Sequence, residues 1–342
     1  MNQPINPVSD ALGRPLHDLR ISVTDRCNLR CTYCMPADCF RDDHAFLPKS
    51  ELLAFDEIEM IARAAAELGV RKLRITGGEP LLRKDLAVLV AALADISGVD
   101  DIAMTTNGVL LDGHAAALRK AGLHRLTVSL DSLDDSVLQS MNGTSSGAAP
   151  VLRGIAAAIE AGFPPPKINI VVQRGVNDGS LLDLVRHFRG TGCTLRFIEF
   201  MDVGTLNEWK LNLVVPASEI RDQIHRAFPL RPLSQAYAGE VAQRYGFEDG
   251  MGEIGLIASV TQPFCGDCSR LRLSSDGKLF TCLFAGNGVD LKSKLRGEAE
   301  EGTLREWLRE IWQDRTDRYS ESRSRLFASP RIPKVEMYRV GG

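Results

Sequence analysis

The sequence predicts an α/β chain: an incomplete (β/α)6 TIM-like barrel with a C-terminal α+β extension closing the barrel mouth. Three observations carry that expectation. Six short β-type runs are each followed by a stretch with helical apolar spacing. Within the runs, apolar residues alternate with charged and hydroxyl residues. Beyond about residue 215 the pattern breaks into scattered Pro, Gly and short strands.

The strands are expected at residues 19–24, 73–76, 102–106, 126–130, 168–172 and 195–200, with helices at 55–68, 85–93, 112–121, 148–161 and 181–188. Repeated βα units imply a parallel sheet. Its shape is decided by the faces. Leu19, Ile21 and Val23 oppose Arg20, Ser22 and Thr24, and Leu73 and Ile75 oppose Lys72, Arg74 and Thr76. The polar face continues in Thr127, Ser129 and Asp131, then in Lys167, Asn169 and Gln173. A doubly wound sheet would bury those groups under helices at a cost of several kcal/mol each, whereas a partial barrel turns them toward a wet, ligand-filled lumen. An antiparallel sheet with one solvated face fits less well, because the intervening helices are of crossover length.

Residues 1–18 are polar and hold Pro4, Pro7 and Pro15, which reads as a flexible arm; residues 19–215 then form the barrel and 216–342 a second, C-terminal domain. In that domain, Asp276-Gly277 between 271–275 and 278–283 signals a hairpin. A two-residue turn there would set Cys282 opposite Leu271. One helix is expected at 303–314, and the Arg/Ser-rich 315–325 is expected to be irregular.

With 342 residues, 44% of them hydrophobic, the chain can bury a full core. A formal charge of −3 gives no reason to expect nucleic acid or an anionic membrane as partner. No apolar run is long enough to span a bilayer, and residues 1–18 lack the apolar core of a secretory signal, so a cytoplasmic location is expected.

In a reducing compartment, clustered cysteines are metal-binding or catalytic rather than disulfide-bonded. Six of the eight cysteines fall into Cys27-x3-Cys31-x2-Cys34 and Cys265-x2-Cys268-x13-Cys282. Neither triplet has an obvious fourth ligand. A closed structural metal site uses four, whereas three thiolates can hold three irons of a 4Fe–4S cubane and leave one iron open. For the first triplet, zinc with Cys39 or His44 as fourth ligand is the alternative. The second has a poorer zinc reading, since its nearest histidine in sequence is His225. Cys193, beside Gly192, reads as a small buried hydrophobe.

Three further motifs end strands on the rim where barrel active sites are assembled. They are Thr76-Gly77-Gly78-Glu79-Pro80, Thr105-Thr106-Asn107-Gly108 and Ser129-Leu130-Asp131. Paired glycines admit a close backbone approach to a ligand, although a plain tight turn explains them too. Three such rims above a cysteine loop make a pocket.

Taken together, the Cys-x3-Cys-x2-Cys after the first strand, Tyr33 before its last cysteine, and Gly-Gly-Glu-Pro after the second strand resemble radical S-adenosylmethionine enzymes. Within them, the segment Phe264–Arg272, the hairpin leading to Cys282 and the terminal Gly341-Gly342 resemble the GTP 3′,8-cyclases, which make the first intermediate of molybdenum cofactor. The resemblance runs from about Leu19 to Gly342, with Ser269 standing where that family usually has Asn.

The resemblance implies two 4Fe–4S clusters and S-adenosylmethionine as cofactors. The first cluster would bind the cofactor's amine and carboxylate, with Gly78, Thr105, Ser129 and Met201 lining it and Tyr33 near its adenine. Cleavage would give a 5′-deoxyadenosyl radical that takes hydrogen from the ribose 3′ carbon of GTP, and the sugar radical would attack carbon 8 of guanine. The second cluster would hold the guanine. Arg20, Lys72, Arg74, Lys167, Arg196, Arg270 and Arg272 would counter the phosphates, with Thr105 also on the substrate side. Gly341 and Gly342 would enter the active site and steer the reaction. A flavodoxin- or ferredoxin-like electron donor and a downstream cyclic pyranopterin synthase follow as partners, with a homodimer left open. Two other readings stand beside this one: a radical enzyme with an auxiliary cluster acting on a peptide or RNA, and a zinc-stabilised binding protein without catalysis.

Overall fold

The computed structural model describes residues 7–41, 43–237, 239–297, 301–326 and 334–341. Twelve strands form one sheet: β1 (Asp18–Ser22), β2 (Lys72–Thr76), β3 (Asp101–Thr106), β4 (Arg125–Ser129), β5 (Lys167–Val172), β6 (Thr194–Glu199), β7 (Leu230–Leu233), β8 (Gln243–Phe247), β9 (Glu253–Ile257), β10 (Arg270–Leu273), β11 (Lys278–Phe280) and β12 (Val289–Asp290). Their order is β12-β11-β10-β1-β2-β3-β4-β5-β6-β9-β8-β7, and among the described residues no strand pairing closes the ring. The expected six parallel strands are all present. The C-terminal part adds a parallel strand at each edge, β10 beside β1 and β9 beside β6, each carrying an antiparallel ribbon outward.

Alternation does what the sequence predicts. Leu19, Ile21, Leu73, Ile75, Met104, Val128, Ile168 and Leu195 are buried on the outer face under the helices. The inner face carries Arg272, Arg20 and Arg74 in register across three adjacent strands, and Thr105, Thr127 and Lys167 across the next three. A leucine from the outer face replaced by Ala would cost about 2–5 kcal/mol, since the cavity left behind cannot fully close.

The helices are Phe55–Glu67, Leu86–Ala94, Ala115–Lys120, Ala148–Glu160 and Leu181–Phe188, close to expectation, with the third shortened because a 3-10 turn takes Leu111–Gly113. An unexpected helix, Asp135–Asn142, starts where the Asp134 carboxylate accepts from Ser136 N (2.8 Å) and Val137 N (3.2 Å), and stops at Gly143 with φ +64°.

Three expectations are corrected. The N-terminal arm is packed from residue 7 onward: Val8 N donates to Leu68 O (3.0 Å), Leu16 is fully buried, and the buried Asp10–Arg14 pair (2.6 Å) ties the segment to itself. Its anchor is distant in sequence, the Trp312 indole donating to Arg14 O (3.1 Å). The hairpin is also one residue out of the expected register. Ser274 N donates to Lys278 O (2.9 Å), so Ser275, Asp276 and Gly277 form the loop, with Gly277 at φ +82°. This is the three-residue hairpin ending in a left-handed glycine. Extending the Arg272–Phe280 pairing sets Cys282 opposite Arg270, not Leu271. Finally, the Arg/Ser-rich stretch contains a helix, Tyr319–Leu326, stabilised by tertiary bonds from Tyr319 and Arg323 to Asp202 rather than by its own propensity.

Among the described residues, no helix is long and apolar enough to cross a membrane.

Candidate active site

The first cysteine loop leaves the C-terminal end of β1 and is stitched to the loop after β2. Gly78 N donates to Thr24 O (2.8 Å) and Glu79 N to Arg26 O (2.8 Å). Any side chain at Gly78 would run into the Arg26 carbonyl, so the approach requires glycine. Within the loop, Cys34 N and Met35 N both donate to Cys31 O (2.9 and 2.8 Å), and Arg30 braces the curl through the Cys27, Leu29 and Phe40 carbonyls (2.9, 2.9 and 3.0 Å). Burial, then the Glu79 carboxylate, pushes the Cys27 thiol up to about 11, and burial with the neighbouring thiols pushes Cys31 and Cys34 up further. Three converging thiols that repel one another as thiolates need added positive charge to ionise together.

The cavity over this loop is lined by Cys27, Cys31, Cys34, Gly78, Ser129 and Met201, among others. Among the described residues three buried carboxylates line it, of which Glu199 is taken up by Ala217 N, Val260 N, Thr261 N and Thr261 Oγ1. Burial lifts Glu79 to about 7 even though it accepts from Asn107 N (2.7 Å), Thr106 Oγ1 (2.7 Å) and Leu81 N (3.1 Å). Burial lifts Asp131 to about 6 although it accepts from Tyr33 OH (2.7 Å) and Val171 N (2.8 Å). The sequence reading placed Glu79 and Asp131 only within rim motifs, with Asp131 on the polar inner face, and named neither as a site residue. Their carboxylates beside a three-cysteine loop were the available signal.

The second cysteine loop precedes β10, beside β1, and so lies at the opposite end of the strands from the first. Cys265 opens a 3-10 turn, Cys268 N donates to Cys265 O (3.3 Å), and Cys282 follows β11. Arg270 donates through Nη2 and Nε to Cys268 Sγ (3.1 and 3.4 Å). Arg315 Nη1 holds the Cys268 carbonyl (2.6 Å), and Arg14 Nη1 the Cys265 carbonyl (2.9 Å). Burial would raise the Cys268 thiol, but Arg270 and Arg315 outweigh it and bring it down to about 6. Cys282, near Asp317 instead, is pushed up to about 11, mainly by burial. Arg14, Arg315 and Asp317 were missed by the sequence reading, since they come from both ends of the chain.

The expected phosphate-binding cations separate into two groups. Arg20, Arg74, Arg196, Arg270 and Arg272 line the cavity at the second cysteine loop. Burial, reinforced by Arg272 and Arg74, pushes Arg20 far down; burial and Arg74 push Arg196 to about 9, and burial and Arg270 push Arg272 to about 10. Guanidiniums stay charged at neutral pH, so the repulsion is held until an anion relieves it. Lys72 sits on the inner face one layer nearer the strands' N-terminal ends than Arg20 and Arg74, level with Arg270, and Lys167 one layer nearer than Arg196. Lys72 lies 3.5 Å from Asp18 and under the Tyr237 ring at 4.9 Å, and burial with Arg196 brings Lys167 down to about 8. Thr105 accepts from Arg74 Nη1 (3.1 Å) and lines both cavities, as do Asn169, Ile198 and Met201. The two cavities therefore adjoin inside the lumen.

The C-terminal tail reaches between them. The helix Met337–Val340 buries Tyr338 against Phe40 (ring centroids 5.0 Å apart), and the Tyr338 N–H donates to Cys34 sulfur. Arg272 Nη1 donates to the Gly341 carbonyl and to Val340 O (3.4 Å). Gly341 has φ +66° and packs so close to the Thr76 side chain that a Cβ would overlap it. Gly342 lies outside the described residues. Arg272 is thus engaged with the tail and Arg270 with Cys268, where the sequence reading gave both to phosphate.

Among the described residues, no three His, Cys, Asp or Glu side chains close around a single metal ion. Cys39 is exposed, and His44 is packed between Phe40 and Phe46 (4.6 and 4.8 Å). A mononuclear zinc needs its ligands around one ion, whereas a cubane takes each thiolate on a separate iron, so the donor sets fit clusters. Cys193 is a buried lone thiol, as expected.

A family model described as Radical SAM superfamily matches residues 21–188, and one described as Molybdenum Cofactor Synthesis C matches residues 193–321. A GTP 3′,8-cyclase of Xanthomonas campestris pv. campestris (strain B100) is 54% identical over 336 residues, covering 98% of each chain. Another from Staphylococcus aureus (strain MRSA252) is 46% identical over 340 residues, covering 99% of this chain and all of that one. Among solved structures, Streptococcus suis SuiB bound to S-adenosylmethionine superposes with a TM-score of 0.59 at 18% identity, over 88% of this chain and 66% of that one, a likeness of fold.

Proposed function

The chain belongs to the GTP 3′,8-cyclase family of the radical S-adenosylmethionine enzymes, and from that premise we infer how its own residues divide the reaction. Membership implies a 4Fe–4S cluster and S-adenosylmethionine, with GTP as substrate. The observation that carries the division is the pair of adjoining cavities, each with its own cysteine triplet, meeting at Thr105, Asn169, Ile198 and Met201.

Cys27, Cys31 and Cys34 would hold the first cluster, and Cys265, Cys268 and Cys282 a second. Bound at the first triplet, a cluster supplies the electron that splits the sulfonium of S-adenosylmethionine, the source of the radical that takes hydrogen from GTP. The protein's part is position and charge. Glu79 offers the cofactor's ammonium a buried carboxylate, while Asp131 fixes the Tyr33 ring at the adenine end. Gly78, Ser129 and Met201 shape the wall.

Arg20, Arg74 and Arg196 would take the triphosphate as charge-assisted partners, with Lys72 and Lys167 beneath them. Arg270 is committed to Cys268, and so holds the second cluster's ligand. Arg272 acts through the tail: by gripping Gly341 O it sets Gly341 against Thr76 of the first cavity. A group there contacts the reacting sugar and keeps water from the radical. A flavodoxin- or ferredoxin-like donor, product transfer to a cyclic pyranopterin synthase, a homodimeric state and a cytoplasmic location complete the proposal.

The test is anaerobic reconstitution followed by incubation of the reduced protein with S-adenosylmethionine and each nucleoside triphosphate in turn. Two clusters give about eight irons per chain. 5′-Deoxyadenosine and a cyclised product should form together with GTP. About four irons in a fully active protein would remove the second cluster, and equal turnover with ATP would remove the assigned substrate.

A further inference from the structure

Ser259 follows β9 on the lumen-facing alternation set by Gly255 and Ile257, and it lines the cavity of the second cysteine loop together with Val241, Ile257 and Phe264. The residue is 2% exposed, and its Oγ has no protein partner. Its neighbours in the same turn are all engaged. Val260 N and Thr261 N donate to Glu199 Oε2 (2.7 and 2.9 Å), Thr261 Oγ1 donates to Glu199 Oε1 (2.5 Å), and Gln262 N donates to Ala258 O (3.1 Å).

Nor can Ser259 easily turn away. Its carbonyl accepts from Arg323 Nη1 (3.1 Å), and Arg323 Nε is held by Asp202 Oδ1 (2.9 Å). A buried hydroxyl left without a partner is costly, and native structures rarely keep one without a reason. The backbone here is tied down, and the residue it holds lines the cavity. On that side Val241, Ile257 and Phe264 are apolar, with Arg196 of β6 beside Gly255, while Arg270, Arg272, Arg20 and Arg74 gather on β10, β1 and β2. An apolar wall with one hydroxyl suits the flat ring of a base, and the arginine side suits the phosphates.

We propose that Ser259 Oγ hydrogen-bonds one edge of the purine ring of GTP and so contributes to the choice of base. This rests on the reading of that cavity as the nucleotide site. The hydroxyl can donate or accept, so it can pair with a ring oxygen, a ring nitrogen or the exocyclic amine.

The test compares anaerobically reconstituted wild type with Ser259→Ala. GTP affinity should fall about tenfold or more, because a protein–ligand hydrogen bond is lost. Iron content and S-adenosylmethionine binding should be unchanged. Without nucleotide the variant should melt at the same temperature or higher, since a partnerless buried hydroxyl has been removed; a merely structural hydroxyl would lower it.

A second arm titrates GTP, ITP, 7-deaza-GTP and ATP into both proteins. The analogue that lacks the paired atom should lose affinity for wild type and lose little further for Ser259→Ala. If Ser259→Ala binds GTP like wild type while Arg74→Ala binds it weakly, the role of Ser259 is overturned and the nucleotide site stands. If Arg74→Ala also binds normally, the site reading falls and Ser259 falls with it. Equal losses for every analogue against both proteins would likewise overturn the base-reading role.

Discussion

Around the first cysteine loop the charged groups lining the cavity are carboxylates, Glu79, Asp131 and Glu199; around the second they are guanidiniums, Arg270 and Arg315 among them, with Asp317 the one carboxylate beside them among the described residues. The thiol beside the arginines responds to them, although Cys282, near Asp317, is pushed up to about 11, mainly by burial. Cys27 is pushed up to about 11, whereas Cys268 is brought down to about 6. Both loops present three thiols, so the difference lies in what else each must hold. A carboxylate-lined site suits a ligand carrying an ammonium and a sulfonium, and an arginine-lined site suits a polyphosphate. One barrel lumen thereby holds two ligands of opposite character side by side.

The strongest way to break that comparison is to remove one triplet at a time. Serine at Cys27, Cys31 and Cys34 together should abolish 5′-deoxyadenosine formation and leave about four irons. Serine at Cys265, Cys268 and Cys282 should also leave about four irons but retain cofactor cleavage, without cyclised product. If the first variant still cleaves S-adenosylmethionine, the two loops have been assigned the wrong way round.

The tail comes next, because Gly341 packs against Thr76 of the first cavity and is held by Arg272 of the second. Gly341→Ala places a Cβ against the Thr76 side chain at a left-handed backbone. Cyclised product should fall by a hundredfold or more, on the scale at which a misplacement of about 1 Å slows a reaction, while iron content and GTP affinity hold. Arg272→Ala should act in the same direction by releasing Gly341 O. Full cyclase activity in either variant, measured as product per 5′-deoxyadenosine, would leave the tail as a simple terminus.

A smaller effect sharpens the charge contrast. Alanine at both Arg20 and Arg196 should weaken GTP binding about a hundredfold, each charge-assisted bond being worth roughly 1.5–3 kcal/mol, with S-adenosylmethionine affinity unmoved. Calorimetric titration of both ligands into the same variant decides it; equal losses for the two would erase the distinction between the sites.

The gentlest probe is pH. Burial keeps Glu79 protonated up to about 7. The folded state then carries a proton that the unfolded chain has released, so this group's contribution to stability falls as pH climbs from the ordinary carboxylate range to about 7. Cofactor binding runs the other way: it should tighten as pH rises through about 7 and the carboxylate becomes available to the ammonium. Glu79→Gln should weaken binding about tenfold and flatten that dependence. A wild-type affinity constant between pH 6 and 8 would remove Glu79 from the cofactor's ammonium.

By itself the sequence determined whatever depends on neighbours along the chain. Strand alternation marked Arg20, Lys72, Arg74 and Lys167 as inner-face residues, because successive side chains in a strand must point to opposite sides. Cysteine spacing marked both triplets, and paired glycines marked the close approach at Gly78. Only the tertiary structure decided which groups meet across long separations. Arg14 reaches the Cys265 carbonyl, Arg315 the Cys268 carbonyl and Trp312 the carbonyl of Arg14 itself, and none of these pairings has a periodic signature. For the same reason an apparent arm became a packed segment, and a polar stretch became the helix that holds Asp202. The hairpin shows the boundary most sharply. Asp276-Gly277 announced a turn, but whether the loop holds two residues or three depends on how β11 seats against β10, and that one-residue difference moves Cys282 from Leu271 to Arg270. Local rules follow from covalent geometry, whereas the partner of a buried charge is chosen by the whole fold's need to leave few such groups unpaired.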